Sequence, residues 1–240
     1  MLKFDKTKSK KIIVLGAGGT GGWLLTMLDK LSLPDDSVLI VDGDIVEEKN
    51  IIRQAFYPDD VNKYKAEIFA DKFGFNYTTD YLDSVEMLQE LIDSCEGEIP
   101  IVVGCLDNNA SRKIVHDLFE SEIEDLIWVD SGNAERHGQV YVAVKENGNV
   151  VAESPINLDE AFQNYEGDER RPDQISCAEH SESAPQNIAA NLTAALITFN
   201  ILNNILSSGA LMSNKYDFDT RTIGFNQENK IGRASCRERV

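Results

Sequence analysis

The chain has 240 residues, of which 42% are hydrophobic and 27% are charged, a composition typical of one α/β domain that buries its core without metals or disulfides. Its formal net charge of −18 repels phosphate backbones and argues against a nucleic-acid partner. No run of apolar residues approaches the roughly 18 to 20 needed to cross a bilayer, and no apolar signal region precedes the first strand, so we expect a cytoplasmic protein without a membrane partner.

The first half of the chain alternates short apolar runs with helical patterns. We predict strands at 11–16, 37–42, 99–107 and 125–132, and helices at 20–31, 62–73, 84–94 and 110–121. The spacing between the first two strands suits the crossover of a parallel βαβ unit. This alternation predicts an α/β fold with a Rossmann-like, doubly wound, mostly parallel sheet, whose ligands lie at the carboxyl ends of the strands.

The parallel pattern ends after residue 138. A hairpin is predicted around Asn147-Gly148, followed by a long polar loop at 153–185, a helix at 186–208 and a final strand at 216–225, because Asn-Gly is a strong turn signal and the loop has no periodicity. Antiparallel strands thus extend the sheet in the C-terminal half. We expect one domain over 1–230, and in 231–240 an abruptly basic, artificial tail whose Cys236 has no function.

A glycine-rich turn between the first strand and helix signals a nucleotide. Gly16, Gly18, Gly19 and Gly21 fit G-x-G-x-x-G, in which small residues admit a phosphate to the N–H groups of a helix N-terminus. Asp42, at the end of the second strand, is placed to accept hydrogen bonds from a ribose. These two features do not choose between NAD and ATP, and a tight turn that binds nothing is the plain alternative.

Further motifs follow in a fixed order: a D-x-D-x-V run, N-x-x-R-Q, a lysine, and a D-N pair before an arginine. Their members are Asp42, Asp44 and Val46, then Asn50, Arg53 and Gln54, then Lys65, and finally Asp107, Asn108 and Arg112. In this order and spacing, residues 10–200 resemble the ThiF/MoeB family, which includes the adenylation domains of ubiquitin-activating enzymes. The chain is similar to a minimal, single-domain form.

The resemblance implies ATP-dependent adenylation of the C-terminal carboxylate of a small ubiquitin-like or sulfur-carrier protein or peptide. Arg53 and Lys65 would neutralise the phosphates, and Asp107 would hold Mg²⁺. Nucleotide contacts are expected from Gly16, Gly18, Gly19, Gly21, Asp42, Asp44, Asn50, Arg53, Gln54, Lys65, Asp107 and Asn108. Alternatively, Arg53 and Lys65 are solvated surface charges, and Asp107-Asn108 is only a helix N-cap.

Cys177 lies in the long polar loop, three residues before His180. It resembles the cysteine with which some family members take the activated acyl group, and we predict it as a fourth catalytic residue, together with Arg53, Lys65 and Asp107. An unreactive loop cysteine is the alternative, since Glu179 and Glu182 would raise its pKa. Cys95 and Cys105 are predicted to be buried and structural.

The sequence departs from the family in two respects. It has no C-x-x-C pair, so no zinc is expected. The family's N-terminal arginine, which completes the partner's ATP site, is missing, and either Lys8 or Lys10 replaces it or the site differs. A homodimer is expected from the resemblance. Two other functions remain open: a nucleotide-binding scaffold without catalysis, and an NAD-dependent oxidoreductase, which would leave Arg53, Lys65 and Asp107 without a joint purpose.

Overall fold

The computed structural model describes residues 1–5, 7–34, 36–95, 97–158 and 187–228. The strands are β1 (Leu2–Lys3), β2 (Lys10–Leu15), β3 (Val38–Val41), β4 (Asn76–Thr78), β5 (Ile99–Gly104), β6 (Leu126–Asn133), β7 (His137–Glu146), β8 (Asn149–Ala152), β9 (Ala210–Leu211), β10 (Lys215–Asp219) and β11 (Gly224–Glu228). The α-helices are α1 (Gly19–Leu28), α2 (Lys65–Phe73), α3 (Val85–Asp93), α4 (Asn109–Glu120), α5 (Pro155–Leu158) and α6 (Ile188–Ser208). Two 3-10 helices span Glu48–Asn50 and Pro58–Asp60.

Nine of these strands form one sheet in the order β11-β10-β7-β6-β5-β2-β3-β4, with β8 paired to β7. The strands from β4 to β6 along this order are parallel. β7, β8, β10 and β11 extend the sheet with antiparallel pairings. The predicted fold class, a mostly parallel α/β sheet with an antiparallel extension, is confirmed.

Helices cover both faces of the parallel strands, because side chains of a strand point alternately to the two sides. Ile12 and Val14 of β2 pack into one core, with apolar residues of α1, α2 and α6. Ile13 and Leu15 pack into the other core, with α3 and α4. Both cores end at the carboxyl ends of β2, β3 and β5, where the chain passes from strand to loop.

The predicted final strand at 216–225 is wrong. This stretch contains most of β10 and the beginning of β11, which pair with each other as a hairpin. The strand is interrupted because the Asp219 carboxylate accepts hydrogen bonds from the Arg221 backbone and side chain, and Ile223 has a φ of 52°. The predicted Asn147-Gly148 hairpin is confirmed, and both of its turn residues have positive φ, as a type I′ turn requires.

Element boundaries also differ from those predicted. β5 ends at Gly104, three residues before Asp107, and α2 begins only at Lys65. The short edge strand β4 was not predicted. Of the predicted polar loop at 153–185, residues 155–158 form α5, and the part from residue 159 onward lies outside the described residues, as does the predicted tail at 231–240.

Helix α6 is the longest described helix. The Asn187 side chain caps its N-terminus and Gly209, with a φ of 61°, ends it. By length and composition α6 could cross a membrane, contrary to the expectation that no segment qualifies. In the fold it packs against α1 and the sheet, burying Ala190, Asn191, Ala194, Ala195, Thr198, Ile201, Leu202 and Ile205. A core role accounts for these apolar residues, and the absence of a membrane partner stays a prediction.

Phe69 of α2 offers a test of the packing that holds α1 and α2 together. Its ring is fully buried, lies 5.1 Å from the Phe56 ring and abuts Gly22 of α1. We expect Phe69→Ala to lower the free energy of unfolding by about 3–5 kcal/mol, since it removes a buried aromatic ring and leaves a cavity. Urea denaturation measures this. Phe225→Ala, at a site 62% exposed, is the control and should change stability by less than about 0.5 kcal/mol; equal losses in both variants would contradict the packing described.

Candidate functional site

The glycine-rich turn is held tightly at the carboxyl end of β2. Gly16 has a φ of +92°, and a Cβ there would lie 2.7 Å from the Cys105 carbonyl oxygen. A Cβ on Gly21 would lie 1.9 Å from the Gly16 carbonyl oxygen, so α1 begins in direct contact with the turn. Only glycine at these two positions allows this approach. The first turn of α1 is thereby fixed at the end of the strand.

Gly18 is the N-cap residue of α1. Because glycine has no side chain that could accept a hydrogen bond, no side chain caps the backbone N–H groups at the start of this helix. A Cβ on Gly18 would come no closer than 4.0 Å to its nearest neighbour, the Gln54 amide. Gly19 instead faces the Asn191 side chain of α6, which would lie 2.8 Å from a Cβ. A helix N-terminus of this kind attracts an anion through its N–H groups and dipole.

Asp42 ties the end of β3 to the glycine turn. Its carboxylate accepts hydrogen bonds from the Ala17 N–H at 2.6 Å and the Asp44 N–H at 2.8 Å. Burial raises the pKa of Asp42 to about 6, against the opposing charge of Lys65. Each carboxylate oxygen has a further lone pair, so this group can accept a ribose hydroxyl in addition to its two backbone partners.

Lys65 and Asp44 form a largely buried ion pair beside Asp42. The Lys65 ammonium lies 2.7 Å from Asp44 Oδ2, and its side chain is 6% exposed. Tyr81 donates its hydroxyl to Asp44 Oδ1 at 2.9 Å. Although burial raises the pKa of Asp44, the Lys65 charge and these hydrogen bonds outweigh it, and the net shift is downward. The alternative that Lys65 is a solvated surface charge is therefore wrong.

The segment that carries Asn50, Arg53 and Gln54 lies between β3 and α2. Asn50 is buried, and its side chain accepts a hydrogen bond from the Glu47 N–H at 2.9 Å. Gln54 is also buried, and its Oε1 has no hydrogen-bond partner among the described residues. Since a buried amide oxygen without a partner costs free energy, this atom beside Gly18 is available to a ligand.

Arg53 and Asp107 approach each other from different loops. Arg53 is half-buried, and burial lowers the pKa of its guanidinium while the charge of Asp107 opposes this shift. Asp107 itself is exposed. Asn108 is buried and caps α4 by accepting a hydrogen bond from the Ser111 N–H at 2.8 Å. The predicted N-cap is thus confirmed for Asn108, whereas the Asp107 carboxylate points outward beside a cation.

The structure adds residues that the sequence did not single out. Thr20 of α1 donates to Asn133 at the end of β6, and Asn191 of α6 donates to both, so three distant segments meet behind the glycine turn. Asp130 of β6 is buried against Arg112, and Tyr81 binds Asp44. The contacts join residues up to 171 positions apart, and the only local signal is the polar D-S-G-N sequence at 130–133 closing an apolar strand.

The two described cysteines differ in position. Cys95 is buried, as predicted, whereas Cys105 is half-buried and lies against Gly16 of the glycine turn. Burial raises the pKa of Cys105 to about 12 and also raises that of Cys95, so neither thiol is readily ionised. Lys10 donates to the carbonyls of Asp5 and Lys8, and Lys8 pairs with Asp125. Lys10 begins β2 and Gly16 follows its end, so both lysines lie at the opposite end of this strand from Gly16. Cys177 and His180 lie outside the described residues.

The arrangement brings a helix N-terminus, three carboxylates and two cations to one edge of the sheet. Gly16, Gly18, Gly19, Gly21, Asp42, Asp44, Asn50, Gln54 and Lys65 surround the ends of β2 and β3, and Arg53, Asp107 and Asn108 lie next to them at the end of β5. Such a set can bind the phosphates and ribose of a nucleotide. Among the described residues, no group of three or more His, Cys, Asp or Glu side chains is placed to hold a metal.

Comparison with known proteins points to one family. The ThiF family profile matches residues 2–237. The chain is 30% identical over 114 residues to the adenylyltransferase and sulfurtransferase UBA4 of Yarrowia lipolytica, across 46% of this chain and 28% of that protein. It is 28% identical over 153 residues to the SAMP-activating enzyme E1 of Haloferax volcanii, across 61% of this chain and 52% of that protein. The chain spans about half the length of these relatives or less.

Solved structures agree on the fold. The crystal structure of E. coli MccB with ATP superposes with a TM-score of 0.67 at 17% identity, over 97% of this chain and 67% of that one. The crystal structure of PaaA gives a TM-score of 0.65 at 18% identity, over 93% of this chain and 73% of that one. At such low identity, these likenesses establish a shared fold.

The titration of Asp42 predicts a pH dependence of stability. Because the folded-state pKa is raised from 3.8 to about 6, the folded protein binds more protons than the unfolded chain between these values, and this carboxyl destabilises the fold as the pH rises through that window. In Asp42→Asn, the drop in unfolding free energy between about pH 4 and pH 6 should be smaller than in the wild type. Urea denaturation at several pH values measures the two slopes; a constant offset between the curves, with equal slopes, would show that Asp42 does not titrate there.

Proposed function

Since this chain belongs to the ThiF family, we propose that it is an ATP-dependent adenylyltransferase. It would activate the C-terminal carboxylate of a small ubiquitin-like or sulfur-carrier protein or peptide and release pyrophosphate. One observation carries the proposal: Arg53, Lys65 and the open N-terminus of α1 meet at the sheet edge where Asp42 and Asp107 also lie. Attack of a carboxylate on an α-phosphate brings anions together, and these cations would screen their approach.

The residues present fit ATP. The N–H groups of the first turn of α1 are suited to the phosphates, and Asp42 to the ribose. Gln54, with its buried and unpartnered Oε1, and Asn50 are placed to orient the nucleotide beside Gly18. Asp44 would act indirectly, because it fixes the Lys65 ammonium, and Asn108 would act by capping α4 behind Asp107.

Asp107 also fits Mg²⁺ bound with ATP. Its carboxylate is exposed, which leaves a hard oxygen ligand available to a hard cation. When bound, Mg²⁺ would neutralise charge on the phosphates that leave. Asp107 would hold the cation, and the neighbouring Arg53 would bind phosphate oxygens, since a guanidinium presents several donors at once.

The class of substrate is proposed from the relatives. The names of the two relatives describe an adenylyltransferase and an activating enzyme. One of the similar solved structures contains MccB together with MccA. For this chain we propose a carboxyl terminus on a small protein or peptide, which is the substrate that the family resemblance implies. The net charge of −18 argues against a nucleic-acid partner. No zinc is expected, because the sequence has no C-x-x-C pair. We propose the cytoplasm as the location.

We also propose a single adenylation domain over 1–230 that acts as a homodimer. Ile188, Leu192 and Leu196 are each at least 40% exposed and recur every fourth residue along α6. Such a spacing places them on one helix face. An apolar stripe of this kind on a partly exposed helix suits burial against a second copy.

ATP–pyrophosphate exchange tests the function directly. In the presence of Mg²⁺, we expect the protein to exchange labelled pyrophosphate into ATP only when a peptide with a free C-terminal carboxylate, such as one ending in Gly-Gly, is present. The same peptide with an amidated C-terminus is the control and should support no exchange. ATP binding without exchange across a broad peptide set would favour the scaffold function instead, and binding of NAD in place of ATP would favour the oxidoreductase.

Replacing Asp107 tests its role. We expect Asp107→Ala to lower the exchange rate by about 100-fold or more, as loss of one preorganised electrostatic group in an active site typically does, and to weaken its dependence on Mg²⁺. Asp117→Ala is the matched control, because Asp117 lies on α4, has an exposed carboxylate and pairs with Lys113 in a surface ion pair. If both variants exchange at the wild-type rate, Asp107 has no part in the reaction.

Cys177 is proposed to accept the activated acyl group, on the resemblance alone. A thioester would form when the Cys177 thiolate attacks the acyl-adenylate carbonyl carbon and AMP leaves. In Cys177→Ser, pyrophosphate exchange should persist while the dithiothreitol-sensitive adduct with the substrate, detected by intact-mass spectrometry, disappears. Cys95→Ser, at a cysteine that follows α3, is the control and should retain the adduct. An adduct of unchanged yield in Cys177→Ser would remove this residue from the mechanism.

A further inference from the structure

Arg112 makes a set of buried hydrogen bonds behind the candidate site. It lies in the first turn of α4 and is 7% exposed. Its Nε donates to Asp130 Oδ2 at 3.0 Å, and its Nη1 donates to Asn109 Oδ1 at 3.2 Å. Its Nη2 donates to the carbonyls of Leu106 at 2.6 Å and Ser131 at 3.3 Å. One side chain thus joins the loop after β5, the start of α4 and the end of β6.

The residue between two of these fixed points is Asp107. The Leu106 carbonyl, immediately before it, is held by Arg112, and the Asn108 side chain, immediately after it, is held by the Ser111 N–H. The backbone of Asp107 is therefore pinned on both sides while its carboxylate stays exposed beside Arg53. A ligand group held in this way needs no reordering when it binds a cation.

The support under Arg112 is itself tightly built. Asp130 is fully buried, and a Cβ on Gly104 would lie 2.5 Å from its Oδ1, so glycine at 104 makes room for the carboxylate. The carboxylate must remain paired, because an isolated buried charge is costly. The planar guanidinium reaches all four acceptors in a fixed fork, which the three donors of a compact ammonium cannot reproduce.

We propose that Arg112, supported by Asp130, is a positioning residue that sets the Asp107 carboxylate for Mg²⁺. This inference rests on the proposed function, because it assumes that Asp107 holds Mg²⁺ with ATP. Arg112 acts through the Leu106 carbonyl and the 105–108 loop, and it is not a catalytic residue. Its loss therefore affects the binding of Mg²⁺ more than the binding of ATP itself.

The other end of α4 offers a matched control. Lys145 of β7 is also a buried cation, 7% exposed, and it donates to the Phe119 and Ser121 carbonyls at that end of the helix. Lys145→Met removes a cation and its carbonyl contacts far from Asp107. Comparing it with Arg112→Lys separates the local positioning of Asp107 from a general loss of stability in α4.

The experiment measures ATP binding by calorimetry, with and without Mg²⁺, and the melting temperature of each variant. For Arg112→Lys we expect the Mg²⁺ concentration that half-saturates the binding of ATP to rise by about 10- to 100-fold, as is typical when an outer-shell partner of a metal ligand is removed. Affinity for ATP without Mg²⁺ should change by less than about threefold. Asp130→Asn should shift the Mg²⁺ requirement in the same direction, and it carries the test if Arg112→Lys does not fold. Lys145→Met should lower the melting temperature without changing the Mg²⁺ requirement.

Two results would overturn the inference: an unchanged Mg²⁺ requirement in folded Arg112→Lys and Asp130→Asn, or an equal rise in Lys145→Met. Failure of the proposed function has a different signature, since the wild-type protein would then show no pyrophosphate exchange with any carboxylate peptide. The wild-type protein could show no exchange while Mg²⁺ still strengthens its binding of ATP and Arg112→Lys weakens that effect. In this case Arg112 positions Asp107 in a nucleotide site that is not catalytic. If Mg²⁺ has no effect on wild-type binding, the positioning role fails as well.

Discussion

The Asp42 carboxylate is the contact on which the nucleotide end of the fold depends. It accepts the Ala17 N–H from the glycine turn and the Asp44 N–H from the segment that leaves β3. Because a raised pKa marks a charge that the surroundings solvate poorly, the carboxylate needs these donors and the nearby Lys65 to remain ionised. The glycine turn, the end of β3 and the Asp44–Lys65 pair are consequently parts of one hydrogen-bonded unit.

A second unit supports the neighbouring strand end. The Arg112–Asp130 pair joins β6 to α4 and to the loop after β5, just as Asp42 joins β3 to the turn after β2. In both units a buried carboxylate organises backbone groups, and the exposed Asp107 follows directly after the Leu106 carbonyl that the second unit holds. The parallel order β6-β5-β2-β3 places the two units side by side, which is why residues far apart in sequence meet at one end of the sheet.

The elements that carry a regular pattern of apolar residues could be predicted from the sequence. The elements and pairs that depend on single contacts could not. Apolar runs such as 11–16 identify β2 because a strand buried on both faces has no polar positions. The edge strand β4 has two exposed residues of three and offers no such signal, and β10 and β11 merged into one predicted strand because their turn retains apolar Ile223. The glycine motif located the turn, and the N-cap of α4 followed from local chemistry at Asn108. Asp130 as the partner of Arg112, and Tyr81 as the partner of Asp44, 37 positions away, follow only from the sheet order.

The charge of the chain and the charge of the site are separate quantities. A net charge of −18 opposes a long polyanion, whose many phosphates would meet the whole surface. A single nucleotide meets only the groups within about 8 Å, since salt screens more distant charges. The candidate site sets the cations Arg53 and Lys65 and the positive end of α1 beside the carboxylates Asp42, Asp44 and Asp107. Lys65 is held in place by Asp44 inside a largely buried pair. Fixed cations and a helix N-terminus act at short range, whereas the acidic surface is screened by salt. The net negative charge of the chain is therefore compatible with the nucleotide site proposed above, although it opposes nucleic acid.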